Sequence, residues 1–162
     1  MLQARISRKM IDFYQGSLHD IEHFLKVHAY AALIGRLEGL DVHAQQTLEI
    51  AAIVHDIACP LCREKYGRAY GDKQELESEA LLRPFLAEFE LERDMLERIV
   101  FLVSHHHTTT GIDGMDYQIL LEADFLVNAS EGNLSREAIG AFCRSTVRTE
   151  AAKRLFDSIY LR

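Results

Sequence analysis

A chain of 162 residues and 18.5 kDa suits one domain and is short for two. Apolar residues make up 48% and charged residues 27%, enough for a buried core and too apolar for wholesale disorder. Lys and Arg number 18 against 25 Asp and Glu, a formal charge of -7, which argues against a general nucleic-acid or membrane-surface binder because such binding needs clustered positive charge. No apolar run approaches the roughly 18 residues that cross a bilayer, and the opening MLQARISRKM lacks a signal-peptide apolar stretch. Three cysteines (Cys59, Cys62, Cys143) are an odd count in a chain large enough to fold without disulfides, so a reduced, cytoplasmic protein is expected. Eight histidines with acidic neighbours stand out.

Apolar spacing of three and four residues dominates. Ile21, Phe24, Leu25, His28, Ala31, Ala32 and Gly35 predict a helix of about five turns ending near Gly39. Asp41 can cap a second helix running through Leu48, Ala51, Ala52 and His55. Residues 58–74, with Pro60, Gly67 and Gly71, read as a loop with at most one short helical turn. Helical pattern returns at about 75–89, where Pro84 can kink it, and at 92–104. HHHTTTGIDGMD reads as a second loop, followed by helices at about 116–130, 135–147 and 149–160, with Ser135 and Thr149 in cap-like positions. No alternating run of strand length is present, so the chain reads as all-α.

The chemistry gathers at a few positions. His55 and Asp56 end the run LEIAAIVHDIA. Two metal-capable side chains after an apolar helix are unusual, because buried charge needs a partner or a metal. Adjacent helical residues diverge by about 100°, so both can meet one ion only where the backbone runs close to it. An Asp capping a turn beside a core histidine is the plain alternative. His23 lies on the preceding helix, which a short connection should pack against the helix of His55. His19 shares the face of His23, whereas His28 points about 140° away and is expected to pack or sit at an edge. Asp124, flanked by Leu120, Leu121, Ala123, Phe125 and Leu126, needs a reason to be buried. A metal gives one and a salt bridge or N–H donor another. Glu122 is 200° from it, so only one of the two should point inward. His23, His55, Asp56 and Asp124 together offer two imidazoles and two carboxylates, a donor set suited to Mn, Fe, Co, Ni, Zn or Mg.

The order His23, His55–Asp56, Asp124, carried by HFLKV, VHD and a late Asp in an apolar helix, resembles the HD superfamily of metal-dependent phosphohydrolases. Five stretches are similar to small bacterial proteins of that group: HDIEHFLKV, AAIVHDIACPLCREKYG, GDKQELE, SHHHTTTGIDGMDYQILLEADFLVN and TEAAKRLFDSIY. The resemblance implies an HD-domain helical bundle of about six or seven helices, a single domain over 1–162 with its core at about 19–130 and C-terminal helices at 135–160. It also implies one divalent ion held by His23, His55, Asp56 and Asp124. Two departures matter. The Lys that many relatives carry after the doublet is absent, with Ile57, Ala58 and Cys59 in its place. Gln74 stands where two-metal members have a histidine, which favours one ion.

Around that centre, Asp56, His105 and His106 are expected to act catalytically, the histidines by binding phosphate or a second metal. Three consecutive histidines cannot share one helical face, so His107 is placed at the surface. Lys26, Arg63, Lys65 and Gln74 are candidate substrate contacts. For Lys26 the alternative is a side chain snorkelling from the bundle, and for Gln74 and Glu75 it is complementing a helix dipole. The Cys59–Cys62 spacing lacks a second pair, which leaves redox or zinc chemistry improbable. The charge-rich EFELERDMLER reads as a solvated face with an attractive Asp94–Arg98 pair. The expected activity is hydrolysis of a small phosphorylated metabolite, nucleotides first, by metal-activated water. A non-catalytic metal- or ligand-sensing module is the alternative, and an oxygenase-like diiron protein is disfavoured by Gln74.

Overall fold

The three-to-four residue period resolves into nine α-helices among the described residues: α1 (Leu2–Tyr14), α2 (Leu18–Leu37), α3 (Val42–Val54), α4 (Cys59–Tyr66), α5 (Gly71–Leu86), α6 (Arg93–Val103), α7 (Met115–Glu131), α8 (Arg136–Ser145) and α9 (Glu150–Phe156). This computed structural model describes residues 2–162, among which no strand occurs. No helix among them is long and apolar enough to cross a membrane. The expected caps are made. Asp41 accepts from the Ala44 N–H at 2.8 Å, Ser135 from Ala138 at 3.1 Å and Thr149 from Ala152 at 3.2 Å, each satisfying a donor that the first helical turn leaves free.

Seven of these helices match predicted ones, and α1 and α4 are additional. The segment read as a loop contains α4 because its two breakers fall where breakers are tolerated. Pro60 sits in the first turn, where its missing N–H has no intrahelical partner to lose, and Gly67 closes the helix in the left-handed region at φ 78°. The expected Asp94–Arg98 pair is also replaced. Arg98 turns to Asp113 and Asp116, with four N···O distances between 2.6 and 2.9 Å, and pins the 104–114 loop against the start of α7.

Helix α2 packs against both α3 and α7, and α3 also meets α1 and α6. From Thr47 to Val54 every residue of α3 is buried. That helix is the centre of the bundle, and each enclosed Ile or Leu contributes about 1.5–3 kcal/mol. Helix α1 adds Ile6, Met10 and Tyr14 to the same core. The end of α3, the end of α6, the first half of α2 and the second half of α7 therefore meet in one place.

Helix α7 is enclosed on two sides, which corrects the expectation for Glu122. Both Glu122 and Asp124 are buried, on different faces. Glu122 accepts from Gln118 Nε2 (2.7 Å), the N–H groups of Arg148 (2.7 Å) and Thr149 (3.0 Å), and the Thr149 hydroxyl (2.6 Å). Its 200° offset from Asp124 aims it at the α8–α9 junction.

Candidate metal centre

Helix α3 ends at Val54, and His55 and Asp56 occupy the turn that follows. The Ile57 N–H closes on the Val54 carbonyl at 3.1 Å and the Cys59 N–H on that of Asp56 at 2.9 Å, while the Tyr14 hydroxyl donates to the same Asp56 carbonyl at 2.9 Å. His55 keeps helical dihedrals (φ −57°, ψ −38°), so the two side chains start about 100° apart and still reach one point at their tips.

They do so together with three others. His23 Nε2 lies 3.2 Å from His55 Nε2, 3.2 Å from Asp124 Oδ1 and 3.3 Å from Asp56 Oδ2. His55 Nε2 is 3.4 Å from Asp56 Oδ2 and 3.5 Å from Asp124 Oδ1, and His106 Nε2 is 3.4 Å from Asp56 Oδ1. His23, His55 and Asp124 form one group of potential ligands, and His55, Asp56 and His106 a second that shares His55. A divalent ion fits these donors on two observations. Asp124 Oδ1 and His106 Nε2 are buried without a hydrogen-bond partner, a costly state that a shared cation relieves. The separations also match ligands about 2.1 Å from one ion, whose donor atoms stand about 3.0–3.4 Å apart at octahedral or tetrahedral angles. A third grouping, His43, Glu92 and Asp94, is fully exposed and has neither property.

Second partners aim the imidazoles. His55 Nδ1 donates to the Ala52 carbonyl at 2.8 Å and His106 Nδ1 to that of Val103 at 2.7 Å. His23 Nδ1 donates instead to Glu131 Oε2, also at 2.8 Å. Each acceptor fixes the proton on Nδ1 and leaves Nε2 to face the centre, as metal-binding histidines require. The acceptor behind His23 is thus a carboxylate, where the other two imidazoles have carbonyls. Burial opposes protonation of His23, but Asp124, the charge of Asp56 and Glu131 outweigh it and raise its pKa from 6.5 to about 9. For His106 burial is likewise outweighed by Asp56. Burial pushes Asp56 and Asp124 up, yet the surrounding imidazoles hold both well below the usual carboxylate range. Asp56, with 20% of its side chain exposed against 9% for Asp124, is the edge through which the cluster opens.

The other expected site residues have partners of their own. Lys26 reaches Glu131 Oε1 at 3.2 Å, behind His23. Arg63 clasps Asp20 through both terminal nitrogens, at 3.2 and 2.5 Å, and Lys65 pairs with Glu77 at 2.5 Å. Each cation is thus already matched to a carboxylate. Gln74 is buried, donates from Nε2 to the Ala69 carbonyl at 2.9 Å, and has its Oε1 without a donor. His105 is not brought to the cluster. Its ring stacks on Phe101 with centroids 4.2 Å apart, and Nδ1 donates to the Phe101 carbonyl at 2.7 Å. One 100° step separates it from His106, which does face inward. His107 is an exposed residue whose ring is nonetheless covered on its inner side, packed on His106 at 4.0 Å between ring centroids and against Gly71. His19 approaches Glu131 from outside at 3.8 Å, and His28 faces Glu49 at 3.6 Å. Cys59 and Cys62 are both buried and free, and burial pushes both thiols up, which keeps them neutral and unreactive.

Two participants were not anticipated. Glu131 lies seven residues after Asp124, two helical turns along the same face of α7, so its spacing carried the signal. Tyr14 belongs to α1, which had no predicted counterpart.

A sequence model of the HD domain matches residues 20–139, a span that begins three residues before His23 and takes in all five converging side chains. No curated protein matches the chain. With the greater part of its length matched and the His, His-Asp and Asp positions gathered around one point, the chain belongs to the HD-domain family.

Proposed function

We propose that the protein is a metal-dependent phosphohydrolase acting on a small phosphorylated metabolite, with nucleotides the first class to assay. One observation carries this reading: His23, His55, His106 and Asp124 are buried around one point, and Asp56 is the member of the cluster that reaches solvent. Domains of this family are generally metal-dependent hydrolases. A divalent ion held by His23, His55, Asp56 and Asp124 would supply an electrophile for a phosphoryl oxygen and a bound water of lowered pKa. Asp56, at the open edge, would help hold the ion, and Asp56 or a nearby histidine would orient or deprotonate that water. His106 Nε2, unpartnered and 3.4 Å from Asp56 Oδ1, would bind the ion or a phosphate oxygen there. Gln74 Oε1, a buried acceptor without a donor, is available to a substrate hydroxyl or a water.

A sensing role has one observation in its favour. Lys26, Arg63 and Lys65 are all committed to carboxylates, so a phosphate meets no free cation among them. A panel of nucleoside mono-, di- and triphosphates and sugar phosphates, assayed for phosphate release with Mn, Co, Ni, Mg and Fe(II), decides between the two. Release that disappears in Asp56→Ala supports the hydrolase. No release with any metal, alongside metal retention and ligand-dependent thermal shifts, favours the sensor.

A further inference from the structure

Glu75 stands one residue beyond Gln74 and reaches from α5 to the turn that follows α6. Its Oε1 accepts from the backbone N–H of His107 at 3.0 Å and from the Thr108 hydroxyl at 3.0 Å, and Oε2 lies 3.2 Å from the same hydroxyl. From the opposite side, the Tyr117 hydroxyl of α7 faces the carbonyls of His105 and Thr108 at 2.8 and 2.7 Å. The Thr108 N–H closes the turn on the His105 carbonyl at 2.8 Å. Gly71, at the start of α5, completes the clamp. A Cβ there would stand 2.8 Å from His107 Cγ, so its absence lets the His107 ring lie flush against the helix.

The residue held between these supports is His106. Its side chain has a single hydrogen bond, from Nδ1 to the Val103 carbonyl, and its Nε2 is buried without a partner. One such bond fixes a tautomer but leaves the ring's place dependent on the backbone beneath it. A dipole-complementing role explains Glu75 less well. It is the fifth residue of α5, past the first turn where that effect operates. A carboxylate that takes a backbone N–H and a hydroxyl together is also a stronger tether than a neutral acceptor.

We propose that Glu75 is a positioning residue for His106, holding the 105–108 turn so that the imidazole stays aimed at Asp56 and the metal centre. This rests on the reading of the cluster as a metal centre. The test measures Mn(II) and Zn(II) affinity of the full chain, without substrate, by chelator competition. Glu75→Ala should weaken binding about tenfold to a hundredfold, the usual effect of losing an outer-shell partner. His106→Ala should match it, and the double variant should lose no more than either alone, because both changes remove one function. Glu75→Gln should retain most of the affinity, since its amide oxygen can accept from the same two donors. If Glu75→Ala does not fold, Thr108→Val removes one donor without changing volume and should show a smaller loss in the same direction. Wild-type affinity in Glu75→Ala (or in Thr108→Val, should that variant stand in), losses that add in the double variant, or a Gln variant as weak as Ala would each overturn the proposal. A wild-type chain that binds neither ion would instead overturn the metal-centre reading beneath it.

Discussion

Removing metal should leave a protein whose stability falls as the pH rises from about 6.5 to 9. His23 titrates at about 9 when folded against 6.5 for an exposed histidine, because Asp124, Asp56 and Glu131 outweigh its burial. A folded pKa above the unfolded one means that the native state holds the proton more tightly. The resulting stabilisation is complete below about 6.5 and is lost as the pH climbs through 9. The gap between the two values, at about 1.4 kcal/mol per pH unit, is worth roughly 3 kcal/mol. That is a large part of the typical 5–15 kcal/mol total. His106, also raised, acts in the same direction. His107, pushed down to about 4 by burial and by His106, acts only below 6.5, and the depressed Asp56 and Asp124 only in acid. Urea unfolding of chelator-treated protein at fixed ionic strength, followed by circular dichroism, reads this directly. At about 1–3 kcal/mol per molar urea, the midpoint should drop by about 1–3 M across the window. With saturating metal the trend should reverse, because binding displaces the His23 proton and apparent affinity then rises up to tenfold per pH unit. A metal-free midpoint that is constant or higher at pH 9 would refute the assignment of His23 as a cation held by three carboxylates.

Two substitutions probe the supports on either side of α7. Glu131→Gln should lower metal affinity about tenfold to a hundredfold, measured by competition, since it weakens the acceptor that aims His23, and should shrink the fall in chelator-treated stability between pH 6.5 and 9, measured by urea unfolding. Glu122→Ala should cost about 3 kcal/mol or more in urea unfolding while leaving metal affinity intact, because four donors, three of them in buried hydrogen bonds, lose their acceptor away from the centre.

The sequence was legible where one local cause dominates. Asp41, Ser135 and Thr149 cap helices because a short side-chain acceptor meets free N–H groups whatever the tertiary context. The apolar run before His55 has to be buried, so the doublet behind it has to be accounted for. Pro60 and Gly67 misled because a breaker inside a helix and a breaker at its end look alike until the ends are known. Lys26, Arg63 and Lys65 are candidate substrate contacts by sequence, but their carboxylates lie 12 to 105 positions away in the chain. Only tertiary pairing reveals that commitment. The same limit applied to His105 and His106. Periodicity requires the two to diverge, and packing on Phe101 decides which one turns away.

Elemental analysis of wild type beside His55→Ala and Asp124→Ala, purified identically, tests most directly whether His23, His55, Asp56 and Asp124 hold a divalent ion. The wild type should retain about one ion per chain and both variants far less; equal metal content in all three proteins would contradict that assignment.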